Sequence, residues 1–248
     1  TPFGRAAHLA NSLGLNLVFS ISNPPAWAMT TLGPHPDLTA ALLVDLKRSY
    51  PHLQAVELYP RSNTRAGWGA APDARQYTTL FETAQNRIGK EGLSLYLLAG
   101  GLTNRPAIKG DIVDTVFLQS LYDAGLSPAI ISLNLDELRG DVLAEPAQDH
   151  LRHLEQLRKV MHTNGASADL LWVSGLTIPG EVSLQGQQAE SEWLTAAYQT
   201  LRSQLYLGSA LYQCYNPSTI LVSQSCLIQT DGSEHPFLAQ LRILIGKN

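Results

Sequence analysis

Cysteine is scarce in this chain: two residues in 248, Cys214 and Cys226. Two are too few for a small disulfide-built scaffold, and free cysteine is commonly a buried small hydrophobe, so the expectation is two buried thiols. Charge is also thin, at 15% of residues against roughly 25% in a typical soluble domain. No basic excess exists: 17 Lys and Arg face 21 Asp and Glu, for a net charge of −4. Without a basic run or a nucleic-acid motif, nothing points to DNA or RNA. No apolar run reaches the roughly 18 residues that a membrane span needs.

Several motifs are missing too. Neither GxGxxG nor GxxxxGK[ST] spacing occurs, which weakens a nucleotide site, and no cofactor is expected. Ser174-Gly175 is not the GxSxG of a serine-hydrolase elbow. His150 and His153 stand three apart, yet no Asp, Glu or Cys set joins them at metal-ligand spacing, so no metal site is expected. The opening residues TPFGRAAHLANSLGLN lack the apolar core and cleavage signature of a signal peptide. They also lack an initiator Met, so the chain is expected to be processed or a piece of something longer.

What the chain does have is a 44% hydrophobic composition, enough for a substantial core. Helical and extended patterns alternate along it. Apolar residues at helical spacing predict helices over 3–13, from Asp37 (as N-cap) to about 50, after Asp73, over 111–124, 147–163, 183–205 and 237–244. Apolar runs predict strands at 15–21, 53–58, 93–99, 129–135, 170–174 and 209–215. Residues 219–228 read as a hairpin or irregular β segment. After the first helix, strand and helix alternate six times, which implies parallel strands joined by crossovers. The strands are near-continuously apolar, so both sheet faces are covered. An α/β fold follows, either an eight-stranded barrel or a doubly wound open sheet. Polar and aromatic residues collect just past the strands, as on the C-terminal face of a barrel.

One such stretch stands out, Leu53 to Trp68. Glu57, Tyr59 and Arg61 share a face of the extended chain, because side chains alternate with period two. The chain then breaks at Pro60 into a polar loop holding Asn63 and closing at Trp68. Glu57 sits below the rim and reads as a satisfied core acid. Trp27, Tyr59, Trp68 and Tyr215 are candidate sugar-stacking aromatics; packing of the strand ends is the equally weighted alternative. Asn63, Asn134 and Asn216 could bond hydroxyls, although loop and turn chemistry explains asparagine there more often. Trp172, by alternation, faces the helices.

The order of motifs resembles a known family. Pro25-Ala26-Trp27-Ala28 follows a strand, then come Glu57-Leu58-Tyr59 with Asn63, and Trp68-Gly69 with Pro72-Asp73 and Tyr77. Leu171-Trp172-Val173-Ser174 and Asp231-Gly232-Ser233 with Pro236-Phe237 follow. From about Leu15 to Ile245 this resembles the clan A retaining glycoside hydrolases, the xylosidase- and cellulase-like (β/α)8 TIM barrels of bacteria. The resemblance implies that the six βα units are strands three to eight of one barrel domain. The first two strands then lie upstream, and the chain lacks its N-terminal quarter.

The resemblance also implies where catalysis would sit. Arg61 stands where the family keeps its acid/base Glu, Gly175 where it keeps its nucleophile, and Asn134-Leu135-Asp136 where it reads His-Pro-Tyr. Retaining hydrolysis needs two carboxyl groups about 5–5.5 Å apart. Arginine does not give up a proton at useful pH, and glycine has no side chain to attack with. No catalytic residue is therefore assigned, and whether the chain is an enzyme at all is left open, with the balance against. The expected role is a glycosidase-like pseudoenzyme domain that binds carbohydrate or acts as a protein-interaction scaffold, with Trp27, Tyr59, Arg61, Asn63, Trp68, Asn134 and Tyr215 as candidate ligand contacts. The alternative is an active glycoside hydrolase in which Asp136, Glu137 or Glu181 replaces the lost carboxylates. The family suggests an extracytoplasmic or cell-surface location.

Overall fold

The computed structural model describes residues 2–104, 108–135, 148–176, 183–213, 226–229 and 231–246. Its contacts divide the chain into two units, Thr1–Ser132 and Leu133–Asn248.

The first unit opens with helix α1 (Pro2–Ser12) and strand β1 (Leu17–Ile21). A 3-10 turn at Ala26–Ala28 leads into a small antiparallel pair, β2 (Met29–Thr30) and β3 (Gly33–Pro34). Then come helix α2 (Pro36–Ser49), strand β4 (Leu53–Leu58), the short helix α3 (Arg65–Trp68), helix α4 (Ala74–Lys90), strand β5 (Tyr96–Thr103) and helix α5 (Asp114–Asp123). Strand β6 (Ile130–Leu135) carries the boundary between the units. In the second unit follow α6 (Gln148–Thr163), β7 (Leu170–Leu176), α7 (Leu184–Arg202), β8 (Leu207–Tyr212) and α8 (Pro236–Leu244). Strand order in the main sheet is β1-β4-β5-β6-β7-β8, so chain order and sheet order coincide. The pairs β1·β4, β4·β5 and β7·β8 are parallel.

The local chemistry explains most boundaries. Asp73 caps α4: its Oδ1 accepts the N–H groups of Arg75 and Gln76 at 2.9 and 3.1 Å. Ser183 caps α7 by accepting from Gly186 N–H at 3.0 Å. Helix α2 starts earlier than its sequence suggests. His35 is its N-cap, Pro36 takes the first helical position, where its missing N–H costs nothing, and Asp37 lies in the first turn. Thr39, Ala40, Leu43 and Val44 are buried, and Leu38 and Leu42 are half-exposed. The expected inner face of Leu38, Ala41, Leu42 and Leu46 is thus rotated. In α5, Phe117, Leu118 and Leu121 are buried as expected, but Val113, the N-cap, and Val116 are exposed.

Strands β4, β5 and β6 are nearly all buried along their length, as strands covered on both faces must be. Strand β5 runs on through Gly100 and Gly101, which the sequence places beyond its end. Strand β8 lies two to three residues earlier than expected. Of the expected 219–228 β segment, residues 219–225 lie outside the described residues, and Ile228 forms an isolated antiparallel bridge with Glu234. The free-thiol expectation for Cys226 is overturned: Cys226 is disulfide-bonded and buried. Cys214 lies outside the described residues. No described helix is long and apolar enough to cross a membrane.

Candidate functional site

In the first unit, the end of β4 turns over the glycine pair of β5. Tyr59 and Arg61 both adopt positive φ, 53° and 62°. Such backbone costs of order 1–3 kcal/mol per non-glycine residue and persists only where the surroundings enforce it. Here they do. Arg61 N–H donates to Gly101 O, and Ser62 Oγ donates to Gly100 O. A Cβ on Gly101 would stand 2.6 Å from Pro60 Cα, so only glycine lets the two backbones meet. Gly101 itself has φ +50°. This explains the two glycines without any phosphate.

The same loop is pinned from three further directions. Tyr59 N–H donates to Ile21 O at 3.0 Å, and the Tyr59 hydroxyl shares a 2.8 Å hydrogen bond with Thr39. Burial raises the Tyr59 pKa, and the Thr39 hydrogen bond opposes that rise. Asn63 is 1% exposed. Its Nδ2 donates to Thr103 O and Ile112 O at 3.1 and 2.8 Å, and its Oδ1 accepts Thr103 N–H at 2.9 Å. Trp68, also 1% exposed, donates its indole N–H to Leu32 O at 2.8 Å. Its ring lies against Gly33 and packs edge-on to Tyr59 at 5.9 Å between centroids. The structure thus brings Tyr59 and Trp68 together, and their faces and the Asn63 amide are occupied by protein atoms. Arg61 is half-buried.

Trp27 differs. It lies in the 3-10 turn after β1 and is 76% exposed. The turn is held by Ala28 N–H to Pro25 O at 2.8 Å and by His35 N–H to Ala28 O at 2.9 Å. An exposed indole on a hydrogen-bonded backbone turn thus follows β1. Beneath the surface, Glu57 is 2% exposed and accepts the Ser20 hydroxyl at 2.6 Å, a core acid with a partner. Tyr77, fully buried, bridges strands: its hydroxyl donates to Leu58 O at 3.0 Å and accepts Gly100 N–H at 2.7 Å. Burial pushes its pKa up.

In the second unit, Gly175 lies near the end of β7 and is buried. A Cβ placed there would meet Asn134 Oδ1 at 2.7 Å and Gln213 Oε1 at 3.1 Å. Asn134, on β6, is 5% exposed, and its Nδ2 donates to Ser174 Oγ at 3.3 Å. Two neutral carboxamides therefore border the space of the missing side chain. Gln213 was not legible as a site residue; its only signal is its place one residue beyond β8. Tyr215, Asn216, Asp136, Glu137 and Glu181 lie outside the described residues.

No protein-family model and no curated protein matches the chain. Solved structures do. A GH128 (subgroup II) endo-beta-1,3-glucanase from Sorangium cellulosum aligns over 93% of this chain and 81% of its own, with 13% identity and a TM-score of 0.66. A monomeric beta-xylosidase from Caulobacter crescentus CB15 aligns over 98% of this chain, with 12% identity and a TM-score of 0.70. A conserved exported protein from Bacteroides fragilis aligns over 94%, with 11% identity and a TM-score of 0.68. The chain spans 56% and 55% of the length of the latter two. At such identities the likeness shows the fold. It is α/β, a six-stranded sheet of parallel strands in the manner of a partial TIM barrel, shared with glycoside hydrolases.

Proposed function

We propose that this chain is a glycosidase-like domain that has lost catalysis and binds carbohydrate. The observation that carries this is the surroundings of Gly175. Where a nucleophilic carboxylate would be needed, there is no side chain, and its place is taken up by Asn134 Oδ1 with Gln213 Oε1 beside it. Neither carboxamide carries the negative charge of a carboxylate nucleophile or ionises as an acid at useful pH. Arg61, in the expected acid/base position, carries a permanent positive charge.

Binding is supported by Trp27. An exposed indole on a hydrogen-bonded turn presents a flat apolar face at a strand end, and such faces suit the apolar side of a pyranose ring. Within this function Trp27 makes the direct contact. Tyr59, Asn63 and Trp68 hold the loop in shape. A disulfide at Cys226 and the exported structural neighbour both favour an oxidising, extracytoplasmic location.

Calorimetric titration with laminari-, xylo- and cello-oligosaccharides tests the function. Saturable binding to at least one is expected, weakened about fivefold by Trp27→Ala, since stacking contributes about 1 kcal/mol. No heat with any of them would overturn it.

A further inference from the structure

Strand β8 is the last strand of the main sheet, and among the described residues only β7 pairs with it. Beside it, between α7 and α8, lies a partly open cavity of about 410 Å³. Four consecutive residues of β8, Leu207, Gly208, Ser209 and Ala210, line this cavity. Side chains alternate across a strand, so a cavity on one face would touch every second residue. Contact with all four places the cavity along the backbone edge of β8. The other walls are largely aliphatic side chains of α7 and α8, Ile245 beside them. The one charge in the lining is Arg202, whose Nη1 donates to Leu244 O at 2.7 Å. More apolar surface stands close by in the chain: Leu205, two residues before β8, is 99% exposed, and Ile245 is 61% exposed. Edge strands ordinarily carry charge or proline against pairing with another chain. Leu207–Tyr212 has neither.

We propose that β8 pairs antiparallel with β8 of a second copy of this chain, about a two-fold axis between Ser209 and Ala210. The lining decides the kind of occupant. An open backbone edge beside aliphatic walls is matched by a strand, which brings hydrogen-bonding backbone and apolar side chains together. A small amphiphile brings only the second. The sequence of β8 suits pairing with itself. Leu207 comes to lie opposite Tyr212 and Gly208 opposite Leu211, so no like charges meet across the axis. A two-fold contact uses the same surface twice, so Leu205 and Ile245 of both copies are covered at once. This contact does not depend on the carbohydrate-binding function.

Sedimentation velocity of the whole chain over a wide concentration range tests this. The expected species at high concentration has twice the 27.0 kDa mass of the chain and dissociates on dilution. Leu205→Lys puts a charge beside the contact, and its Tm should stay that of the parent because Leu205 is exposed. Its dimer Kd is expected to rise at least tenfold, since two leucine side chains are no longer covered. Ser209→Lys, which sets two lysines near the axis, should weaken the dimer as much. Hydrogen exchange then locates the contact: amides of residues 207–211 should exchange more slowly in the parent dimer than in monomeric Leu205→Lys. A monomer at every concentration would overturn the pairing and leave this edge to a strand of another polypeptide. A dimer that neither lysine weakens, or whose β8 amides exchange as fast as those of the monomer, would overturn it too.

Discussion

Single residues carry the contrast between a site that works as scaffold and one open to a ligand. Asn63 uses its carboxamide on three backbone groups of β5 and the chain before α5. Asn63→Ala strands a buried N–H and two carbonyls, and should cost about 2–4 kcal/mol, read as a fall in the urea midpoint at unchanged m-value. Gly101→Ala should be about as damaging. Its Cβ meets backbone at 2.6 Å, and backbone cannot swing aside as a side-chain tip can. Tyrosine ionisation supplies a pH test. Burial raises Tyr77 and Tyr198 above the ordinary 10.0. The unfolded chain then releases these protons at lower pH than the folded one, so their contribution is intact below about pH 10 and is lost above it. A spectrophotometric alkaline titration should show delayed phenolate absorbance that appears together with unfolding. Free titration of every tyrosine near pH 10, with the fold intact, would contradict this burial.

Among the elements, caps and clamps set the joints. Asp73→Ala removes the two hydrogen bonds at the start of α4 and should cost about 1 kcal/mol. A larger effect belongs to the pair that ties α7 to the start of α8. His235 Nδ1 accepts Phe237 N–H at 3.2 Å, which leaves the ring proton on Nε2, 3.1 Å from Glu190 Oε2. Both side chains are almost wholly buried. Glu190→Ala strips a buried polar group of its partner and should cost about 3 kcal/mol, visible as a lowered Tm.

How much of this was legible follows from the same elements. The helices and strands of the sheet could be read because long apolar periodicities encode burial directly. Exact faces could not. Leucine lies on both sides of α2, and exposed Val116 looks the same in sequence as buried Phe117. The His235–Glu190 pair joins residues 45 apart, and no local pattern announces it. Helix α3 and the β2–β3 pair were missed because each is only a few residues long. They are held by Trp68 reaching Leu32 and Gly33, not by their own propensities. Trp27, Tyr59, Arg61 and Asn134 were singled out by their position at or just past strand ends. Position alone did not separate exposed Trp27 from buried Trp68. Nothing in the sequence announced the approach of Gln213 to Gly175, because glutamine just past a strand is ordinary.

For the molecule as a whole, fold and chemistry point in different directions. Six parallel strands with helices between them match glycoside hydrolase structures over more than nine-tenths of this chain. Under the proposed function, Arg61 and Gly175 stand in sequence where a retaining enzyme would keep its two carboxylates. A fold can outlast its reaction, because strand packing and catalytic side chains make separate demands on the sequence. The most direct measurement is the release of reducing sugar from β-1,3-glucan, xylan and cellulose by the purified chain over a long incubation, set against a buffer blank. Release equal to the blank, from a protein that binds the corresponding oligosaccharide, is the predicted result. Release that rises in proportion to protein concentration would contradict the account and return the chain to the enzymes.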